Sequence, residues 1–181
     1  MHVNAARVSA VGWLSVQFVL CAVMDVTLGL SPAGWAAGIA TGIGLAVALA
    51  RRGRAGLGPA DQITATRAVL AGGVAALVAD GLVSADHVTT LVAMTAVALA
   101  LDLVDGYVAR RTGTESAFGA RFDLEVDAFL IAVLSIHVAG AFGWWVLLIG
   151  AMRYLYVGAA RLLPWLRRPL PSRRSAKVIA A

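Results

Sequence analysis

Long apolar stretches separated by short polar connections constrain this 181-residue chain more than any other feature. A membrane-spanning helix needs about 20 mostly apolar residues, because the hydrocarbon core of a bilayer is about 30 Å thick. Six stretches reach or nearly reach that length, at residues 9–30, 33–50, 62–80, 87–108, 122–141 and 143–163. They lack the polar–apolar alternation of a β-barrel, and helices satisfy every backbone group in lipid. The sequence therefore predicts an all-α, polytopic membrane bundle of about six transmembrane helices.

The composition supports the same class of protein. Hydrophobic residues make up 60% of the chain and charged residues 14%, whereas a soluble domain is about one-quarter charged. This excludes an ordinary water-soluble enzyme and a disordered tail. Cys21 is the only cysteine, which excludes an intrachain disulfide. The net charge of +5 is compatible with nucleic acid or a membrane surface, and the apolar stretches favour the membrane, so no nucleic-acid partner is expected.

Basic residues predict the orientation of the helices. The connections after the second, fourth and sixth stretches carry arginines, and Arg7 precedes the first stretch. The alternate connections carry no Lys or Arg. Because cytoplasmic loops are enriched in Lys and Arg, both termini and the arginine-bearing loops are predicted to lie in the cytoplasm, with the protein in the plasma (inner) membrane. We interpret the first stretch as an uncleaved helix, since a second span follows it directly.

Residues 101–130 concentrate carboxylates where a membrane protein rarely tolerates them. One face of the fourth predicted helix carries acidic and small residues at helical spacing: Asp102, Asp105, Gly106 and Ala109. A face of the fifth helix carries a similar set: Gly119, Asp123 and Asp127. A short polar connection makes the two helices antiparallel neighbours, so we expect the two faces to meet.

Four adjacent carboxylates repel one another and lose hydration unless something neutralises them. Protons, the arginines Arg110 and Arg121, or two divalent cations are the candidates, and the ligand count favours the cations. Oxygen-only ligation suits Mg²⁺ or Mn²⁺. Metals, small residues and adjacent arginines together indicate a diphosphate site for phosphoryl transfer. The alternative is a set of interfacial carboxylates paired with nearby arginines.

The same stretch follows the pattern D-x2-D-G-x2-A-R-x8-G-x3-D-x3-D. Its fixed places are filled by Asp102, Asp105, Gly106, Ala109, Arg110, Gly119, Asp123 and Asp127. This resembles the signature of the CDP-alcohol phosphatidyltransferases, membrane enzymes of phospholipid synthesis. The resemblance implies that the four aspartates bind two divalent ions (Mg²⁺ or Mn²⁺), which hold the diphosphate of a CDP-linked lipid. It also implies that Asp127 takes the proton of the attacking hydroxyl, and that Gly106, Ala109, Arg110 and Gly119 line the CDP site.

The resemblance further implies the reaction and its partners. A phosphatidyl group would pass from CDP-diacylglycerol to an acceptor hydroxyl with release of CMP, at a site facing the cytoplasm, in a homodimer. No covalent protein nucleophile is needed, since displacement at phosphorus can be direct. The alternative is a non-catalytic or shortened relative that serves as a metal- or lipid-binding membrane subunit.

A second, weaker resemblance precedes the motif. Family members often open an earlier helix with P-N-x-L-T-x-x-R, and residues 60–67 read ADQITATR. Thr64 and Arg67 match, whereas Ala60 and Asp61 depart from the pattern. We expect Asp61, Thr64 and Arg67 to contact nucleotide or phosphate; the alternative is that Asp61 caps the helix that starts there.

Two further arginines are candidates for the acceptor site. Arg153 lies near the middle of the sixth stretch, and Arg161 follows it. An anion contact to a phosphorylated acceptor is one interpretation of both residues. The alternatives are snorkelling towards the interface for Arg153 and an interfacial anchor for Arg161.

The sequence divides into three predicted parts. Residues 1–58 form two transmembrane helices and a basic loop, 59–164 the catalytic core of four helices, and 165–181 a basic cytoplasmic tail. The family core usually has six helices, so either the two N-terminal helices fill the missing places or the chain is a shortened form.

Overall fold

The computed structural model contains six α-helices and, among the residues it describes, no β-strand. It describes the backbone of residues 3–51, 58–81, 85–112 and 117–163, and the side chains of these residues except 3–9, 85–87, 105–110, 112 and 117. The helices are α1 (Val3–Leu28), α2 (Pro32–Arg51), α3 (Pro59–Asp80), α4 (Ala85–Thr112), α5 (Ala117–Phe142) and α6 (Val146–Leu162). Each overlaps one of the six predicted stretches, which confirms the predicted all-α membrane bundle.

Four helices within the described residues are long and apolar enough to cross a membrane. These are Ala10–Leu28, Pro32–Arg51, Pro59–Asp80 and Phe118–Phe142. The fourth helix contributes a shorter apolar segment, Val88–Val104. Large apolar side chains such as Val26, Leu103 and Ile136 are exposed on these helices, as expected of surfaces that face lipid instead of water.

Helix α3 is the centre of the compact unit that comprises residues 1–150. It contacts α1, α2, α4 and α5, and every residue from 71 to 77 is buried. Alanine and glycine dominate this part of α3, and small residues let neighbouring backbones approach closely. The second unit comprises residues 151–181, and its described part is the end of α6.

Glycines on α2 allow this close packing. A Cβ atom on Gly42 would lie 2.8 Å from Cγ of Gln17, and one on Gly34 would lie 3.0 Å from the carbonyl oxygen of Ala76. Gly34 and Gly42 therefore allow α2 to pack closely against α3 and α1. The opposite face of α2 carries Ala40, Gly44 and Ala48 and takes part in the groove described below.

Helix ends are placed by specific residues. Gly81 adopts a φ of 69° and ends α3, because glycine enters the left-handed region without steric cost. The carboxylate of Asp80 accepts a 2.6 Å hydrogen bond from the backbone N–H of Ser31 and so ties the α1–α2 turn to the end of α3. At its other end α3 begins at residue 59, three residues earlier than predicted, because Gly58 takes the capping position.

The close approach of Gly150 to α5 supports a first prediction. A Cβ atom on Gly150 would lie 2.7 Å from the Cα atom of Ala132 and 2.9 Å from Cβ of Ser135. Backbone atoms cannot move aside as a flexible side chain can, so we expect Gly150→Leu to lower the unfolding free energy by about 1–3 kcal/mol, the usual cost of overpacking. A Cβ atom on Gly158 of the same helix would meet nothing within 4 Å.

Gly158→Leu is the matched control for Gly150→Leu, and we expect it to leave stability unchanged or to raise it by up to about 1 kcal/mol, because leucine has the higher helix propensity. Thermal unfolding of both variants in the same detergent measures the difference. Equal melting temperatures for the two variants would show that Gly150 does not pack against α5 as described.

Candidate active site

Three helices bring carboxylates and one arginine together. Asp102 lies near the end of α4, Asp123 and Asp127 lie near the start of α5, and Arg67 lies two turns into α3. Each aspartate places one carboxylate oxygen within 4.8 Å of the others. The predicted meeting of the acidic faces of the two helices is thus confirmed for these three residues. We call the three aspartates the carboxylate cluster.

The fourth predicted ligand, Asp105, lies outside the residues whose side chains the structure describes, as do Gly106, Ala109 and Arg110. Their predicted roles as metal ligand and CDP-site residues remain predictions. Gly119 is described and half-buried in the first turn of α5, one turn before Asp123. Its spacing keeps it on the same side of the helix as the cluster.

Arg67 contacts all three carboxylates of the cluster. Its Nη1 atom lies 2.9 Å from Oδ1 of Asp102 and also donates a hydrogen bond to Oδ1 of Asp123. Its Nη2 atom donates to Oδ1 of Asp127. Only 1% of the Arg67 side chain is exposed, against 33–36% for the three aspartates. The buried guanidinium therefore fixes the inner oxygens of the cluster while the carboxylates remain open to a ligand from the other side.

Sequence reasoning missed this role of Arg67. The sequence offers Arg110 and Arg121 only as alternatives to divalent cations for neutralising the carboxylates, and it predicts that Arg67 contacts nucleotide or phosphate. Arg121 is exposed and lines a separate groove. The match of Thr64 and Arg67 to the second family pattern was the available signal that Arg67 has a function. Its position at the carboxylates follows only from the way α3, α4 and α5 are arranged.

The start of α3 is ordered by Asp61 and Thr64, both buried. The Asp61 carboxylate accepts a 2.9 Å hydrogen bond from the backbone N–H of Gly58, and the Thr64 hydroxyl donates to the carbonyl of Ala60 at 3.2 Å. Asp61 thus caps the helix start from the third helical position, which confirms the interpretation of Asp61 as a cap, while Gly58 takes the N-cap position itself. Contacts of Asp61, Thr64 and Arg67 with CDP stay predictions.

The donor set of the cluster fits a divalent cation. Three carboxylates supply oxygen ligands at mutual distances that one ion can bridge, and such ligands suit Mg²⁺ or Mn²⁺. Among the residues whose side chains the structure describes, Arg67 contributes one positive charge against the three formal negative charges of the cluster, and a divalent ion would reduce the remainder. The partial exposure of the carboxylates leaves room for a substrate oxygen beside the ion.

The family model of the CDP-alcohol phosphatidyltransferases matches residues 58–181, more than half of the chain. The chain belongs to this family. No curated protein and no solved structure matches it.

Membership confirms the predicted family and the coarse function. The protein is an integral membrane phosphatidyltransferase of phospholipid synthesis, in a family that uses divalent metal ions. The matched region begins at Gly58, directly before α3, and includes all three residues of the carboxylate cluster. Helices α1 and α2 precede the match, and the predicted division of the chain into three parts stays a prediction.

The remaining predicted site residues belong to α6. Arg153 is half-buried and Arg161 is exposed near the end of the helix. Both lie in the second unit, which begins at Ala151, so their contact with an acceptor stays a prediction.

The ion pairs of Arg67 lead to a second prediction. Arg67→Met keeps a long side chain but removes the guanidinium from the three carboxylates, so we expect the metal-free protein to lose about 1–3 kcal/mol of stability, the size of a lost hydrogen bond to a charged group. Mg²⁺ or Mn²⁺ should restore more stability to this variant than it adds to the unmodified protein. Melting temperatures with and without metal give the comparison.

Arg161→Met serves as the control because Arg161 is exposed, and its melting temperature should not change in either condition. A metal-free Arg67→Met protein as stable as the original would mean that Arg67 does not neutralise the cluster.

Proposed function

We propose that the protein transfers the phosphatidyl group of CDP-diacylglycerol to the hydroxyl of an acceptor and releases CMP, at a site facing the cytoplasm. The observation that supports this most strongly is the convergence of Asp102, Asp123 and Asp127 on one point within the family-matched region. A hydroxyl oxygen forms a new bond to the lipid-linked phosphorus, the bond to the CMP oxygen breaks, and the hydroxyl proton must leave.

Asp127 is the proposed acceptor of that proton. It is held by Arg67 through Oδ1, and its side chain is 36% exposed, so an incoming hydroxyl can reach the carboxylate. A positioned carboxylate that removes a proton in the transition state typically contributes a rate factor of about 100 to 10,000. Arg67 acts as a positioning residue here, because it touches the carboxylate and not the reacting atoms.

The proposed metal ligands are Asp102, Asp123 and Asp127, with Asp105 as the predicted fourth. When bound, divalent ions would neutralise the diphosphate and stabilise the charge that develops at phosphorus. The residues themselves would set the alignment: α4 supplies one carboxylate and α5 supplies two, so bound ions would hold the diphosphate between these two helices. Gly119 is proposed to leave space for the nucleotide next to Asp123.

Arg153 and Arg161 are the proposed acceptor residues, which favours a phosphorylated polyol as the acceptor. A guanidinium presents several donors in a planar fork that matches a phosphate. Unphosphorylated alcohols would bind to these arginines less strongly, because they lack the phosphate that the guanidinium groups match. The acceptor is therefore the part of the proposal that a direct assay has to define.

The test is CMP release from CDP-diacylglycerol by the purified full chain, with Mg²⁺ or Mn²⁺ and a panel of acceptors. The panel consists of inositol phosphate, glycerol phosphate, inositol, serine and a second phospholipid. We expect release with one phosphorylated acceptor and none after chelation. Silence with every acceptor, from folded protein that binds metal, would instead favour a non-catalytic lipid- or metal-binding subunit.

A further inference from the structure

A groove lies between α2, α3 and α5, next to the carboxylate cluster but separate from it. Its volume is about 840 Å³, within the range of about 300–1,000 Å³ that is usual for ligand pockets. We call it the α2–α5 groove. Small residues of α2 form one wall and aromatic residues of α5 form the other: Gly44, Ala48, Phe118, Phe122 and Phe129.

The interior of the groove is suited to a hydrocarbon chain. Phe118 and Phe122 stack with their ring centroids 5.7 Å apart, and a Cβ atom added to Gly44 would meet nothing within 4 Å. An apolar space of this kind does not hold ordered water, which needs polar partners. In a membrane, the apolar material at hand to fill it is an acyl chain.

Charged residues lie in the same lining. Arg51 is the last residue of α2, and Arg121 lies in the second turn of α5, so both belong to the ends of their helices. Both side chains are exposed. Glu125, one turn further along α5, also lines the groove. Two guanidinium groups against one carboxylate favour an anionic head group, and the guanidinium fork binds phosphate well.

The groove faces away from the groups that would hold the donor diphosphate. Asp123 and Asp127 point to Arg67 and α4, whereas Phe122 and Val126, their neighbours in sequence, line the groove. Consecutive residues of a helix lie about 100° apart around its axis. A phosphate at Arg51 and Arg121 is therefore a different phosphate from the one at the carboxylate cluster.

We propose that the α2–α5 groove binds one molecule of an anionic membrane phospholipid, with an acyl chain between α2 and α5 and its phosphate at Arg51 and Arg121. This lipid is distinct from the CDP-linked donor. Half of the site comes from α2, which lies before the family-matched residues 58–181. Helix α2, one of the two helices that precede the match, thus gains a role beyond spanning the membrane, because it completes a lipid site beside the reaction centre.

The test is native mass spectrometry of the delipidated full chain, titrated with phosphatidylglycerol or with phosphatidylcholine of the same acyl chains. We expect one tightly bound phosphatidylglycerol per chain. Arg51→Gln combined with Arg121→Gln should weaken it roughly thirtyfold, because each basic residue near an anionic lipid contributes about a factor of five. Arg111→Gln, an exposed arginine on α4 outside the groove, should leave the affinity unchanged.

A second pair of variants tests the acyl chain independently of charge. Gly44→Trp should fill the groove and abolish tight binding, whereas Gly12→Trp should not. Gly12 is an equally open position, because a Cβ atom there also meets nothing within 4 Å, but it lies on α1 outside the groove.

Three results would overturn the proposal. The first is equal affinity for the two lipids, and the second is unchanged binding by a folded Gly44→Trp variant. The third is one-for-one displacement of phosphatidylglycerol by CDP-diacylglycerol, which would assign the groove to the donor. Binding of both lipids at once supports a separate site, and it does so whether or not the chain releases CMP.

Discussion

Asp127→Asn is expected to lower the rate of CMP release by about 100- to 10,000-fold, the range typical of a lost general base. The asparagine keeps the size of the side chain and one carbonyl oxygen, but it cannot accept the acceptor's proton. CDP-diacylglycerol binding should remain close to that of the unmodified protein, because Asp102 and Asp123 stay in place. Turnover and equilibrium binding of the donor, measured on the same preparation, separate the two effects.

Asp25→Asn is the matched control for this variant. Asp25 is a half-buried carboxylate on α1, outside the family-matched region, so we expect the Asp25→Asn protein to release CMP at the original rate. Normal turnover by Asp127→Asn would show that Asp127 is not the proton acceptor. Loss of both turnover and donor binding would indicate instead that Asp127 acts mainly in holding the metal and the diphosphate.

Removal of divalent metal is expected to abolish CMP release completely, with recovery on addition of Mg²⁺ or Mn²⁺. The carboxylate cluster and the donor diphosphate are both anionic, so without a cation they repel each other. Asp123→Asn should require a metal concentration at least about 10- to 100-fold higher for half-maximal activity, since even residues that merely support metal ligands have effects of that size.

The metal requirement is measured by titrating the chelated protein back with each ion. Asp25→Asn again provides a variant in which a carboxylate changes outside the cluster and outside the family-matched region, and its metal requirement should match that of the original protein. Activity that persists in excess chelator would contradict a metal-dependent reaction, as would an Asp123→Asn variant with an unchanged metal requirement.

Much of the architecture follows from the sequence because lipid restricts the backbone so strongly. Apolar stretches of spanning length leave helices as the structure that satisfies every backbone group, and the six predicted stretches correspond to α1–α6. The helix limits are less predictable. Helix α3 begins at Pro59, before the predicted limit, because Gly58 and Asp61 form the cap. Helix α5 begins at Ala117, five residues before the predicted limit. These limits depend on local hydrogen bonds that hydropathy does not contain.

The aspartates of the candidate site were predictable from the sequence, but the position of its arginine was not. Helical spacing places Asp123 and Asp127 on one face, and a short connection brings Asp102 opposite them, so the sequence predicts their meeting. The position of Arg67 depends on how α3 packs across α4 and α5, a contact between residues 35 to 60 positions apart that no local pattern encodes. The α2–α5 groove likewise arises from packing, since small residues are frequent along the whole chain.

The central claim is that aspartates of α4 and α5 hold divalent cations at the helix ends. The most direct measurement is a Mn²⁺ titration of the purified chain followed by electron paramagnetic resonance, in the presence of CDP-diacylglycerol. We expect two tightly bound Mn²⁺ ions per chain, which are lost when Asp102 and Asp123 are both changed to asparagine. Binding that is absent, or that is equally strong in the double variant, would contradict it.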